Sequence, residues 1–308
     1  MQGHTPLKTV HVTITTPSNF SFSRTIFSHG WCGLPPFSFD RETPHLHRVV
    51  QSEDGTIFSC TLTSNEQAVD VQVAGAEKAT LRQRVEIKEV LKTCLRLDED
   101  FSSFHAEARR YPKFRWIARH GAGRMLRSPT VFEDSVKMIC TTNCTWELTT
   151  LMVTNLVQAF GTQLDGSFQA FPTPESIAGS TERVLRKEIK AGYRSPFLLE
   201  FAEKVASKQI DVEEWRSSSL RTDELFKKIL EIKGIGPYAA GNILKLLGRY
   251  DYLGLDSWVR AKYYELYRNG RTVKDSTIER DYMHYGKWRG LFFWLDMTRY
   301  WHDQKFPL

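Results

Sequence analysis

The sequence has only five cysteines in 308 residues, and no two of them form a C-x-x-C pair. Cys32, Cys60, Cys94, Cys140 and Cys144 are odd in number and scattered. That argues against a disulfide framework or a closed zinc site and for a reducing compartment. Cys140 and Cys144, one helical turn apart, read as small core residues. No run of about 18 apolar residues occurs, so no membrane span is expected. The opening stretch MQGHTPLKTVHVTITTPSNF has no apolar segment of the kind a secretory signal requires. Internal repeats and low-complexity tracts are also absent. Neither sign of charge dominates: 42 Lys and Arg stand against 36 Asp and Glu, a formal charge of +6. This balance permits a polyanionic partner without requiring one. What is present is the makeup of an ordinary globular protein, with 41% hydrophobic and 25% charged residues, which excludes wholesale disorder and supplies a core.

The first hundred residues read as β-rich. VHVTITT and GTIFSCTLTS alternate apolar with polar positions, and AVDVQVAG follows a polar turn. From Val85 the period changes, and VEIKEVLKTCLRL repeats at helical spacing. PTVFEDSVKMICTTN, WELTTLMVTNLVQAFG, SPFLLEFAEKVASK and TDELFKKILEI predict a succession of helices. Pro174 stands at the first turn of a further short one. The expected architecture is α+β: an antiparallel β-rich domain over residues 1–100, then an all-α domain over residues 101–308.

The most informative stretch is ELFKKILEIKGIGPYAAGNILKLLGRYDYLGLDSWVR, from Glu224 to Arg260. An amphipathic helix carrying Leu225, Phe226, Ile229 and Leu230 stops at Lys233. Gly234-Ile235-Gly236 makes a tight turn. Pro237 opens a second helix, where its missing N–H costs nothing, and Gly248 closes it. Glycines let such a turn approach a partner closely. The amides at the start of the second helix suit an anion such as a DNA phosphate, read without regard to base sequence. By itself a G-x-G turn fits a plain helical hairpin equally well. Asp256 follows Gly236 by twenty residues and is placed to cap the next helix, SWVRAKYYEL.

KGIGPYAAGNIL followed by LGLDSWVR resembles the helix-hairpin-helix and aspartate signature of the base-excision DNA glycosylase superfamily. The β-rich start followed by helices is similar to the branch containing 8-oxoguanine glycosylase and type II 3-methyladenine glycosylase. The resemblance implies that Asp256 is the catalytic carboxylate. It also implies that Lys233, Gly234, Ile235 and Gly236 meet a DNA phosphate. MICTTNCTW is similar to the segment whose asparagine fills the gap left by an extruded base, matched by Asn143. AGYRSPF is similar to the wedge segment, matched by Tyr193, with Arg194 beside it to face the orphaned base. GKWRGLFFWLDMTRYW is similar to the pocket helix. Base-pocket positions are then Tyr238, Asn242, Trp258, Trp288, Gly290 and Trp294, with Gly290 where 8-oxoguanine glycosylases carry a glutamine. Lyase members have a lysine where this chain has Tyr238, so a monofunctional enzyme that leaves an abasic site is expected. No cysteine follows Cys144, so the iron–sulfur cluster of the endonuclease III branch is not expected. A Na+ or K+ ion held by the main-chain carbonyls of Leu230, Ile232 and Ile235 is the one cofactor the resemblance allows.

These residue types suit the chemistry. Breaking an N-glycosidic bond develops positive charge on the sugar, which a fixed carboxylate stabilises. Arg183, Arg186, Lys187, Lys190 and Arg194, beside the wedge, are expected to contact the DNA backbone. Aromatic faces favour, by a small margin, an electron-poor alkylated purine as the excised base. The alternatives are 8-oxoguanine or another modified base, or a catalytically idle DNA-binding module. The expected partner is double-stranded DNA bearing a damaged base, bound by a monomer with no membrane involved. That locates the protein in the cytoplasm and nucleoid of a prokaryote or the nucleus of a eukaryote.

Overall fold

The computed structural model describes residues 6–303 except 41, 44, 66 and 165–167. Five strands form one antiparallel sheet in the order β1-β5-β4-β3-β2. They are β1 (Lys8–Thr15), β2 (Phe37–Phe39), β3 (Leu46–Gln51), β4 (Ile57–Ser64) and β5 (Ala68–Gly75). The three strands read from alternation, β1, β4 and β5, are all present. Val69, Val71 and Val73 point inward from β5 while their neighbours face out, as period-2 patterning requires. The two strands that escaped the pattern have local reasons. β2 is only three residues long. In β3, Arg48 occupies an inward position beside Val49 and Val50, which disguises the alternation.

Arg48 is buried because it has a partner across the layers. Its guanidinium donates to both carboxylate oxygens of Glu133, at 3.1 and 2.6 Å, and Lys137 Nζ donates to Glu133 Oε1 at 2.8 Å. Glu133 and Lys137 lie on the helix Val131–Cys140, so this triad ties the sheet to the helices. Apolar packing does the same. Strand residues such as Ile14, Leu62 and Val71 share one core with Ile87 and Leu91 of the helix Leu81–Cys94, with Val136, and with Ile243 and Leu244 further on. A second core joins Phe101, Phe104 and Phe114 to Tyr250, Val259, Phe292 and Phe293. The apolar contacts therefore run across the boundary expected near residue 100.

The helices follow their start signals. Thr80 and Gln83 form a capping box before Leu81–Cys94. Thr130 and Thr145 cap Val131–Cys140 and Trp146–Phe160, and Pro174 sits in the first turn of Pro174–Ala178. Among the described residues no helix is long and apolar enough to cross a membrane.

Candidate active site

The hairpin consists of the helices Thr222–Leu230 and Pro237–Leu246. Gly234 at the turn has φ +87°, and a Cβ there would stand 2.6 Å from Phe197 Cβ, so glycine is required twice over. Gly236 caps the second helix, and open space surrounds the position its Cβ would take. The turn can therefore be approached closely from outside. Together with Thr142, Asn143, Tyr193 and Phe197 it lines a surface groove of about 470 Å³.

Asn143 and Tyr193, fifty residues apart in sequence, meet at this groove: Asn143 Nδ2 donates to the Tyr193 hydroxyl at 3.3 Å. Both are exposed, Tyr193 by 48%, and Asn143 has a left-handed backbone with φ +46°. Lys233 is largely exposed and pairs with Glu200 at 3.0 Å. Arg183, Lys187 and Lys190 are exposed, as is Arg186, which pairs with Glu182. Arg194 departs from expectation. It is 4% exposed; its guanidinium donates to the carbonyl and hydroxyl of Thr142 and to the carbonyl of Ala191. Buried donors must be satisfied, so Arg194 secures the loop that carries Asn143 instead of facing outward.

Asp256 caps the helix Ser257–Arg268, its Oδ1 accepting the Val259 N–H at 2.8 Å. This bond fixes the carboxylate's direction. The nearby guanidinium of Arg260 is engaged by Asp275 at 2.8 and 2.7 Å. Among the described residues no ion pair involves Asp256. It lies on the wall of a cavity of about 460 Å³.

Five of the chain's eight tryptophans, Trp31, Trp146, Trp258, Trp294 and Trp301, line that cavity. The Trp258 and Trp301 rings stand 5.4 Å apart and the Trp258 and Trp294 rings 6.2 Å apart. Tyr238 and Asn242 face in from the second hairpin helix. Burial pushes the Tyr238 phenol above its usual range, partly offset by a hydrogen bond with Thr141. Two expected pocket residues lie elsewhere. Trp288 stacks on Tyr250 at 5.6 Å in the second core. Gly290 marks a close crossing of chains: a Cβ there would fall 1.9 Å from the Tyr252 carbonyl oxygen. The turn at Gly286, with φ +56° and ψ −130°, precedes Trp288 and the helix Arg289–Met297 that carries Gly290.

Sequence reasoning missed the cavity's other contributors. His29 and Trp31, from the N-terminal part of the chain, line one side. Trp31 Nε1 donates to Asp134 at 2.7 Å, and Trp294 Nε1 donates to the Ser28 carbonyl at 3.1 Å. His29 bonds the Leu126 carbonyl through Nε2 at 2.7 Å and accepts the Trp31 N–H through Nδ1. Burial lowers its pKa to about 3, so it is neutral and fully hydrogen-bonded.

Lys245 was also missed. It is 1% exposed and lines the cavity, its ammonium 4.5 Å from the Trp294 ring centre. Burial lowers its pKa to about 8, against the opposing field of Asp256. Gly254, at φ +65°, leaves room for it, since a Cβ there would sit 3.1 Å from Lys245 Cε and 3.3 Å from Nζ. Arg96 donates to the carbonyls of Lys245 and Leu246, fixing the helix end that carries the lysine. The spacing contained a signal: Tyr238, Asn242 and Lys245 fall at i, i+4 and i+7, one stripe of the helix.

Residues 136–287 match the family described as HhH-GPD superfamily base excision DNA repair protein. Among solved structures, the chain is similar to 3-methyladenine DNA glycosylase from Archaeoglobus fulgidus. That likeness has 19% identity and a TM-score of 0.74, covering 94% of this chain and 99% of that one. It is also similar to the 8-oxoguanine glycosylase/lyase of Clostridium acetobutylicum in its apo form, again at 19% identity. There the TM-score is 0.73, with 95% of this chain and 98% of that one covered. The same Clostridium protein bound to double-stranded DNA with cytosine opposite 8-oxoguanine matches with a TM-score of 0.69 and 19% identity. That match covers 97% of this chain and 98% of that one. No curated protein matches the sequence.

Proposed function

We propose that this chain, whose residues 136–287 match the HhH-GPD family, is a base-excision DNA glycosylase that hydrolyses the N-glycosidic bond of an everted purine. The observation that carries this reading is Asp256. It is a carboxylate oriented by a helix cap and free of any ion pair among the described residues. It also lies on the wall of an aromatic cavity of about 460 Å³, within the range of small-molecule sites. A protein that only grips phosphates gains nothing from a carboxylate there.

Double-stranded DNA is bound at the hairpin turn, through Lys233, Gly234, Ile235 and Gly236, along the groove that continues to Asn143 and Tyr193. Tyr193 wedges into the base stack and Asn143 fills the gap, offsetting the few kcal/mol that eversion costs. The base enters the cavity among the tryptophans. The C1′–N bond then breaks and its electron pair leaves with the base. Asp256 stabilises the positive charge on the sugar and orients a water. The water oxygen bonds to C1′, its proton passes through Asp256 to solvent, and the departing base takes up a proton. The product is an abasic site.

Tyr238 cannot form a Schiff base as an amine can, which supports a monofunctional enzyme. A monovalent cation at the hairpin fits the carbonyls of Leu230 and Ile235. Neither accepts a backbone hydrogen bond at the turn among the described residues, while Ile232 accepts one from Ile235 N–H at 3.0 Å. Such an ion would stiffen the turn against a phosphate.

The test is incubation of wild type and Asp256→Asn with duplexes each bearing one modified base, products scored with and without alkali. Strand scission by wild type only after alkali, and its loss in the variant, is the expected result. Equal excision by the variant would remove Asp256 from the mechanism. A borohydride-trapped adduct would overturn the monofunctional assignment.

A further inference from the structure

Resting on that reading of the cavity, we propose that Lys245 selects the base. Its ammonium donates a hydrogen bond to an exocyclic carbonyl oxygen of the everted purine, so the site takes a neutral, carbonyl-bearing base, deaminated or oxidised, in preference to a cationic N-alkylated one.

A lysine amine is among the most costly groups to bury, and a buried charge is normally paired. Lys245 is 1% exposed, yet among the described residues its Nζ makes no hydrogen bond and no ion pair. The Trp294 face lies 4.5 Å away, and Asp256 acts on the ammonium through its field without a hydrogen bond or ion pair among the described residues. The surroundings are built to admit it. Gly254 lacks the Cβ that would crowd Cε and Nζ, and Arg96 clamps the carbonyls of Lys245 and Leu246. Three donor positions on the ammonium are thus held at a cavity of about 460 Å³ with no acceptor supplied by the neighbouring side chains. The missing acceptor is what a ligand would bring.

The electron count gives the same answer. A neutral purine departs with the electron pair of the C1′–N9 bond as an anion, its charge spread onto the carbonyl oxygen. An ammonium against that oxygen stabilises the charge as it develops. A 3- or 7-alkylated purine is already cationic, departs neutral, and would bring a second positive charge beside Lys245. Like charges in a poorly solvated site oppose each other. The aromatic walls that favoured an alkylated purine from sequence alone stack on any purine; the lysine is what discriminates.

The test measures single-turnover excision of hypoxanthine, 8-oxoguanine and 7-methylguanine from matched duplexes by wild type, Lys245→Met and Lys245→Gln. The quantity read is the rate ratio of the better neutral base over cationic 7-methylguanine, which also has a C6 carbonyl, within one preparation; it is independent of how much of a variant is folded. The wild-type ratio should exceed one. It should fall at least tenfold in Lys245→Met, with Lys245→Gln, which keeps a neutral donor, between the two. A wild-type preference for 7-methylguanine, or a fall of less than tenfold in Lys245→Met, overturns this inference while leaving the glycosylase reading intact. Absence of excision of all three bases by wild type overturns both. Borohydride trapping that disappears in Lys245→Met would make the lysine an attacking amine and overturn its role in recognition.

Discussion

Among the described residues two lysines are almost wholly covered, and they differ in what covers them. Lys137, 0% exposed at the junction of sheet and helices, donates to Glu133 at 2.8 Å in a triad completed by Arg48. Lys245, 1% exposed, has a tryptophan face and a cavity. Both have pKa values lowered by burial, and in each a carboxylate opposes the shift: Glu133 for Lys137, Asp256 for Lys245. Only Glu133 is in contact. A charge whose donors are all engaged holds elements together. One left unengaged at an opening is available to something outside the chain. Burial alone does not separate structural from functional lysines; the partner list does.

The largest expected effect tests the paired member. Glu133→Ala leaves Arg48 and Lys137 facing each other without an anion and should cost about 3–5 kcal/mol, measured by urea unfolding. Lys245→Met, by contrast, removes a buried charge that has no contact partner and should leave stability within about 1 kcal/mol of wild type or raise it. A loss in Lys245→Met equal to that in Glu133→Ala would erase the distinction.

Next in size is Asp256→Asn. Asparagine caps a helix as well as aspartate does, so folding should persist. Single-turnover excision should fall by about 10²–10³-fold, corresponding to about 2.7–4 kcal/mol for a lost electrostatic stabiliser. Tyr193→Ala should lower excision by roughly tenfold, a fraction of the few kcal/mol that unstacking requires. Because Tyr193 is half exposed, its melting temperature should not move.

The two sites should also part under pH. Burial alone would raise the Glu133 pKa, but the charges of Arg48 and Lys137 outweigh it and bring it to about 2. Its folded value lies below its unfolded one, so its contribution to stability is present at neutral pH. That contribution is lost as pH falls from about 4.3 through the folded value. Glu133→Gln should flatten this acid limb in pH-dependent urea melts. At the cavity, the preference for a neutral over a cationic base should fall as pH rises through about 8, where Lys245 loses its proton. Asp256, Cys144, His29 and Tyr238 share that cavity, and Arg96 binds the Lys245 carbonyl. Of these, His29 is held neutral far below this range and the Tyr238 phenol is pushed above its usual one. A selectivity that is flat from pH 7 to 9 would count against Lys245.

Much of the site was legible because its signals are local. Gly234 and Gly236 around Ile235, Pro237 at a helix start, and Asp256 before an apolar-periodic segment each announce a backbone conformation within a few residues. Asn143 and Tyr193 were found through resemblance, and the fold brings them into contact. Arg194, Trp288 and Gly290 misled because the same segment can carry residues inward or outward, and only packing decides. Arg194 turned inward because Thr142 offered acceptors; Gly290 is a crossing point because the Tyr252 carbonyl lies against it. Lys245 was passed over because a lysine among Ile, Leu and Gly in a helix looks like a solvated interruption.

By itself, the sequence determined the three neighbouring strands β1, β5 and β4 on one side of the sheet, the hairpin, and the capped aspartate, since backbone preference and side-chain period act over short distances. Only the tertiary structure decided which tryptophans share a wall, that His29 and Trp31 reach across from the first part of the chain, and that one lysine is buried without a partner. Those facts depend on which surfaces exclude water from each other, and that is set by contacts between residues far apart along the chain.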